Sequence, residues 1–264
     1  LAVGVIRLSK RKTLVQEIYC IEMLARVDVL CLDKTGTITD GTMTVTRYIE
    51  PRRNTEFNVS DVMSSMNSAL QEANSTAKAL ENYFGFGKKY TATEILPFSS
   101  ENKYSAVSFA EIGGTFILGA PEFVLKGSFD RVSDNVNEYA NQGLRVLALA
   151  HSAMPLKDGK IQRVPKIVAL ILIEDQIRRE AYDTIKYFRD NGVQVKVISG
   201  DNPVTVSEVS RRVGIENAED YISLDGLTDE EVAQVANSYT VFGRVKPNQK
   251  QILVKALKEA KHTV

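Results

Sequence analysis

Two cysteines, Cys20 and Cys31, are all that 264 residues carry. That is too few for a disulfide framework, and Cys31 sits inside an apolar run, so a reducing, cytosolic setting is expected. Long apolar runs are missing as well. No stretch approaches the ~18 uninterrupted apolar residues of a membrane-spanning helix, and no signal-peptide pattern opens the chain, which as it stands reads as soluble. There is no excess of either charge: Lys and Arg total 33 against 33 for Asp and Glu. A net charge of zero removes any bulk electrostatic case for binding nucleic acid or an anionic membrane. Internal repeats and low-complexity segments are absent too. What remains is an ordinary globular composition, 44% hydrophobic and 25% charged, long enough for one large domain or two modest ones, with two expected. The chain opens on Leu1 and stops at His262-Thr263-Val264, where an apolar strand would begin. It therefore reads as a piece of a longer polypeptide.

The densest local signal is Asp33-Lys34-Thr35-Gly36-Thr37, directly after the apolar run Val27-Asp28-Val29-Leu30-Cys31-Leu32. This arrangement puts a carboxylate at the mouth of a buried strand. In open α/β sheets, reactive groups collect at the carboxyl ends of strands, where loops converge and backbone N–H groups are free to hold an anion. Asp33 there is a candidate phosphoryl acceptor; Asp, Thr and Gly are also ordinary turn formers. A second junction has the same form. Val193–Ile198 reads as a strand running into Ser199-Gly200-Asp201, with Asn202 as N-cap and Pro203 at the first helical position.

Between these junctions the texture changes. Leu14, Val15, Ile18, Ile21 and Leu24 permit a short packed helix ahead of the first strand. Thr44–Ile49 alternates as a strand, and Pro51-Arg52-Arg53-Asn54 reads as an exposed linker. Helical patterns follow at 60–72 and 75–84, and Gly85-Phe86-Gly87 reads as a loop. Tyr104–Phe109 and Thr115–Leu118 form a hairpin around Gly113-Gly114, and Arg145–Met154 with Val164–Ile173 form another enclosing Asp158-Gly159. Strands, helices and strands without βαβ alternation indicate an α+β insert. Alternation resumes near residue 168. Val168–Ile173 reads as a buried strand, and Ile177, Ala181, Ile185 and Phe188 line a helix ending at Asn191-Gly192. Units at 221–224, 228–237, 239–242 and 247–260 complete the βαβ order. The expected organisation is a parallel-sheet domain from 1–48 and 170–264, interrupted by an insert at 49–169.

The pentapeptide is similar to the phosphorylation signature of P-type ATPases, membrane pumps that pass through an aspartyl-phosphate. The chain resembles their cytoplasmic part, most nearly that of bacterial calcium-type pumps, over almost its whole length. The fold implied is α/β, a haloacid-dehalogenase-like (Rossmann-type) parallel-sheet domain interrupted by an α+β nucleotide-binding insert. The implied catalytic set is Asp33, Lys34, Thr35, Thr37, Ser199, Gly200, Asp201 and Lys250. Ser199 replaces the family's threonine and keeps the hydroxyl, and Lys250 matches a phosphate-contacting lysine. Phosphatases of this fold usually carry a second aspartate as proton shuttle at the position of Thr35; its absence favours a longer-lived acyl phosphate. ATP and Mg2+ are the implied cofactors, the metal held by Asp33 and Thr35.

In Pro97-Phe98-Ser99-Ser100-Glu101-Asn102-Lys103, the resemblance gives Phe98 the role of stacking on adenine and Lys103 that of lining the pocket. Gly119-Ala120 belongs to a loop that normally begins with lysine, where this chain has Leu118. Arg145 matches an arginine that reaches the ATP phosphates. Asp175 and Arg178 match a hinge motif that has lost both prolines. The only histidines, His151 and His262, lie outside any Ser-Glu-His-Pro context, so a calcium, magnesium or other light-cation pump is implied rather than a heavy-metal one. Its place would be the cytoplasmic face of a membrane, with the cation handled by membrane helices. A Gly-Asp-Gly-x-Asn-Asp motif that normally supplies a further metal ligand is not present, so nucleotide binding with poor turnover is expected. The rival readings are a soluble phosphatase of the same fold and a non-catalytic nucleotide-binding module. No oligomeric state is implied.

Overall fold

Strand β1 (Val29–Asp33) ends on the first residue of the pentapeptide in the computed structural model, which describes residues 2–10, 14, 20–51 and 56–264. Helices α1 (Ala2–Lys10) and α2 (Cys20–Leu24) precede it. The packed helix expected around Leu14 to Leu24 is not found in the described part. Leu14 and Leu24 of that pattern are exposed. Val15 and Ile18 lie outside the described residues, as do Arg52, Arg53 and Asn54 of the expected linker.

Contacts divide the chain into two units, Thr35–Arg178 and the combination of Leu1–Lys34 with Arg179–Val264. The unit Thr35–Arg178 contains β2 (Thr39–Ile49), α3 (Val59–Leu70), α4 (Ser75–Phe84), β3 (Ala92–Leu96), β4 (Tyr104–Phe109), β5 (Thr115–Gly119), α5 (Pro121–Leu125), α6 (Ser133–Ala140), β6 (Arg145–Ser152) and β7 (Lys166–Ile177). Its six strands form an antiparallel sheet in the order β2-β7-β6-β5-β4-β3. One face buries Ala169, Ile171 and Ile173 with Val62, Met63 and Met66 of α3 and Leu80 of α4. The other buries Leu170 and Leu172 with Val124 and Leu125 of α5 and Val136 of α6. Each fully buried Ile, Leu or Met there contributes about 1.5–3 kcal/mol. Both turn signals operate as read. Gly113 and Gly114 have φ of 63° and 72°, and Asp158 and Gly159 have φ of 51° and 68°, the left-handed pair that matches strand twist.

These boundaries differ from the expected 49–169. Strand β2 pairs antiparallel with β7 from Thr39↔Ile177 to Ile49↔Leu170, which draws both strands wholly into the inserted unit. The segment Val168–Ile173 therefore does not restart the parallel alternation. Ile177 likewise closes β7 instead of opening the next helix.

The chain then returns through α7 (Ala181–Asp190), β8 (Gln194–Ile198), α8 (Pro203–Arg212), β9 (Tyr221–Ser223), α9 (Asp229–Val235), β10 (Val241–Gly243) and α10 (Pro247–Glu259). With β1 these make an all-parallel sheet in the order β1-β8-β10-β9. Helix α8 starts as its sequence dictates, Asn202 Oδ1 accepting the Val204 N–H at 2.9 Å with Pro203 beside it. Val29, Ile198, Leu224, Val232, Phe242, Leu253 and Leu257 form the core. A Cβ on Gly243 would lie 2.6 Å from the backbone of Pro203, so only glycine lets the end of β10 pass the start of α8.

A charged side chain also lies in this core. Lys196 of β8 is 1% exposed and donates to the carbonyls of Tyr239 at 2.6 Å and Asn237 at 3.4 Å. It stands beside Cys31 across the β1–β8 register. Burial pushes the lysine below its usual range and the thiol above its own. A depressed lysine binds its proton less tightly when folded than when unfolded. Its contribution to stability therefore rises as pH climbs through the lowered value toward the ordinary 10.5. Urea titrations at a series of pH values between neutral and 10 should show wild type gaining on Lys196→Met as pH increases; a constant difference would refute this.

Candidate functional site

Because all four strands of the discontinuous unit run the same way, the residues after their carboxyl ends gather along one edge of the sheet. Asp33 closes β1, Ser199-Gly200-Asp201 follows β8, the next strand over, and Arg244 to Lys250 follow β10 and lead into α10. The side chain of Asp33 is 44% exposed and forms an ion pair with Lys250. The nucleophile candidate and the lysine thus meet although they lie at opposite ends of the chain.

Lys34 turns inward instead. Its side chain is fully buried, and its Nζ lies 2.8 Å from Oδ2 of Asp201, whose side chain is 14% exposed. The pair links the residue after β1 to the residue that ends the β8 loop. That loop is closed on itself and on its neighbour. The Asp201 N–H donates to Ser199 Oγ at 3.2 Å, and the Val245 N–H donates to the Ser199 carbonyl at 3.0 Å. Arg244 was not singled out from sequence. It takes the left-handed φ of 53°, donates its N–H to the Asp201 carbonyl at 2.9 Å, and reaches the Gly200 carbonyl with Nη1 at 3.2 Å. Gly200 is exposed, and a Cβ there would meet only the Val245 carbonyl oxygen, at an ordinary contact distance of 3.8 Å. The arrangement offers a carboxylate, an ammonium and an uncluttered glycine backbone along one edge, which suits an incoming phosphoryl group.

The rest of the pentapeptide belongs to the inserted unit. Thr35, Gly36 and Thr37 lead into Ile38, with Gly36 at φ 78°. Arg178 grips this loop: Nε donates to the Thr37 carbonyl at 3.0 Å, Nη2 to the Gly36 carbonyl at 3.0 Å, and the Arg178 N–H to the Ile38 carbonyl at 3.1 Å. Asp175, two residues inside the end of β7, is buried and faces Met43 in the register. The expected hinge charges are therefore at the point where the chain passes between units, and Arg178 spends its guanidinium on backbone carbonyls.

The residues expected to hold a nucleotide lie along one edge of the antiparallel sheet. Strand direction alternates, so the end of β3 and of β5 and the beginning of β4 and of β6 share that edge. Phe98 follows β3, Lys103 immediately precedes β4, Gly119 closes β5 with Ala120 after it, and Arg145 opens β6. Tyr104 is opposite Gly119 and Gly119 opposite Ala148. The Phe98 ring is 47% exposed. Lys103 has φ 61°, and its carbonyl accepts the Ala120 N–H at 3.0 Å. A Cβ on Gly119 would come within 2.4 Å of that same carbonyl, which explains the glycine. Arg145 donates through Nη1 to Thr76 Oγ1 at 3.1 Å, so α4 sets the position of its guanidinium. Leu118, where the resemblance would have lysine, is buried with Val107, Phe116 and Leu149.

A family model described as a haloacid dehalogenase-like hydrolase matches residues 27–264. The chain is 41% identical over 267 residues to the probable cation-transporting ATPase exp7 of Streptococcus pneumoniae serotype 4, a match covering 100% of this chain and 34% of that protein. It is 38% identical over 265 residues to the calcium-transporting ATPase CtpE of Mycobacterium bovis, covering 100% and 33%. It is 26% identical over 299 residues to the magnesium-transporting ATPase, P-type 1, of Escherichia coli K12, again covering 100% and 33%. The chain spans about a third of the length of these curated relatives.

Proposed function

The chain belongs to the haloacid dehalogenase-like hydrolases, and from that premise we propose that it is the autophosphorylating and ATP-binding part of a cation-transporting P-type ATPase. The observation that carries the reading is the placement of Asp33 at the carboxyl end of β1, paired with Lys250 beside the Ser199-Gly200-Asp201 loop of the neighbouring strand. An Asp33 carboxylate oxygen attacks the γ-phosphorus of ATP, the bond from that phosphorus to the β–γ bridging oxygen breaks, and ADP leaves. Water later attacks the same phosphorus, releasing inorganic phosphate and returning the carboxylate. Lys250 offsets negative charge on the transferring group, and the glycine backbone of the β8 loop accommodates its oxygens. Threonine rather than aspartate at position 35 leaves the second step without a nearby proton shuttle, so the acyl phosphate persists.

Among the described residues there is no cluster of three or more His, Cys, Asp or Glu side chains placed to hold a metal ion. The half-exposed Asp33 carboxylate is nonetheless the hard oxygen donor that Mg2+ prefers. Asp33 and the Thr35 carbonyl, two residues along the chain, would hold the ion, with phosphate and water oxygens completing its six ligands. Bound there, Mg2+ would neutralise phosphate charge. On the inserted unit, Phe98 stacks on the adenine, Lys103 and the Gly119-Ala120 loop border the base, and Arg145 reaches the phosphates. Asp175 and Arg178 serve at the hinge.

Two of the relatives are named as calcium and magnesium transporters, so the proposed cargo is calcium or another light cation and the proposed location the cytoplasmic face of a membrane. Among the described residues no helix is long and apolar enough to cross a membrane; ion passage is proposed for other parts of such a protein. Membranes from cells expressing the whole gene, incubated with γ-labelled ATP and quenched in acid, should carry label that neutral hydroxylamine releases. Label that resists hydroxylamine, or none, would overturn the proposal.

A further inference from the structure

The turn that presents Phe98 is held at two ends by different parts of the inserted unit. Within the turn, the Lys103 N–H donates to the Ser99 carbonyl at 2.9 Å and the Asn102 N–H to Ser99 Oγ at 3.0 Å. The far end is fixed to the sheet, where the Lys103 carbonyl accepts the Ala120 N–H. The near end is fixed by Glu72, in the short segment joining α3 to α4: Oε1 accepts the Phe98 N–H at 3.1 Å. The other oxygen of that carboxylate, Oε2, accepts from Asn74 Nδ2 at 2.9 Å, and Asn74 Oδ1 in turn caps α4 by accepting the Ala77 N–H at 2.9 Å. Both carboxylate oxygens are thus engaged, one on the helix cap and one on the turn. Glu72 also forms part of the wall of a cleft of about 410 Å³ that it shares with Phe86 and Lys88.

We propose that Glu72 is a positioning residue for nucleotide binding, fixing the Phe98 backbone to the start of α4 so that the exposed ring keeps the orientation needed to stack on a purine. The inference rests on the reading of Phe98 as the base-stacking residue. Without Glu72 the near end of the turn swings free, and the ring must be ordered at the moment of binding, an entropic cost that appears as lost affinity. Because the contact acts on the base, adenosine and ATP lose the same factor. The lysine side chain of residue 103 and Arg145 are untouched by the change.

The test is calorimetric titration of ATP and of adenosine into the 264-residue chain, wild type against Glu72→Ala, Glu72→Gln, Phe98→Ala and the Glu72→Ala/Phe98→Ala double variant. Glu72→Ala should weaken both ligands about fivefold, in the range of one lost hydrogen bond. Glu72→Gln keeps a carbonyl oxygen for the Phe98 N–H and should recover most of that loss. The double variant should bind no worse than Phe98→Ala, since a ring that is gone needs no positioning. Wild-type affinity in Glu72→Ala alongside weakening in Phe98→Ala would overturn the proposal and leave the nucleotide reading standing. Equal weakening by Glu72→Gln and Glu72→Ala would reduce the residue to a structural one. Unchanged affinity in Phe98→Ala would remove the stacking reading and this proposal together.

Discussion

Asp33→Asn is expected to abolish hydroxylamine-sensitive labelling from ATP, a loss of at least about 10³-fold, while leaving the fold intact. Asparagine has nearly the shape of aspartate but lacks the anionic oxygen that bonds to phosphorus, so no acyl phosphate forms. The accompanying loss of the Lys250 ion pair carries little stability. Both side chains are more than a third exposed, at 42% and 44%, and solvent-screened pairs of this kind contribute about 0–1 kcal/mol. The thermal midpoint should therefore hardly move. ATP should still bind, because the residues proposed to contact the base and phosphates are carried on the other unit. Labelling that survives Asp33→Asn would place the acceptor elsewhere and dismantle the proposed reaction, whatever the similarity of the chain to known pumps.

The parts of this molecule that sequence discloses are those whose cause is local. An apolar run broken by Asp-Lys-Thr-Gly-Thr reads as a strand delivering a carboxylate to a loop, and β1 ends on Asp33. Asn202-Pro203 carries its own cap, and Asp158-Gly159 its own left-handed turn. The hairpin pairing of β7 with β6 is legible in the sequence and is found. That β7 does not restart the parallel alternation is not legible, for a physical reason. Its residues alternate between two apolar clusters, Ala169, Ile171 and Ile173 on one side and Leu170 and Leu172 on the other. A strand covered by helices on both faces reads as an unbroken apolar run whether its neighbours are parallel or antiparallel. Strand β3 was missed for the opposite reason. It lies at the sheet edge, where Thr93 and Glu94 dilute the pattern of a five-residue strand. In the site, Asp33, Ser199, Asp201 and Lys250 were each visible as motif members. Their pairing was not: that Lys34 faces Asp201 while Lys250 faces Asp33 is decided by strand order, which no residue spacing encodes. Arg244 and Glu72 left no signal, because each acts through backbone groups rather than through a motif of its own.

Lys34→Met should destabilise the discontinuous unit by about 3–5 kcal/mol, far more than the loss of the Lys250 pair, because the Lys34 ammonium is fully buried and its partner Asp201 nearly so. Methionine fills much of the lysine stem's volume but removes the buried ammonium that faces the Asp201 carboxylate, and removing one partner of a buried pair costs several kcal/mol. Urea unfolding should show the loss, and Lys34→Met combined with Asp201→Leu should recover a large part of it, since an apolar pair of similar size removes both charges from the interior. A single-variant loss below about 1 kcal/mol would mean that water reaches Asp201 and that the pair is of the surface kind. The expected recovery sharpens what the pair is for. If two apolar residues hold the unit together as well as an ion pair does, stability alone does not account for Lys34 and Asp201. Their positions do: one follows the residue at the end of β1 that accepts the phosphoryl group in the proposed reaction, the other ends the β8 loop that would cradle it. The β1–β8 ladder already fixes those two strand ends; a directional contact between Lys34 and Asp201 orients the loops that leave them, which apolar packing would not do. The double variant should accordingly fold while its labelling from ATP stays far below wild type, and labelling restored along with stability would show that the pair serves the fold and nothing more.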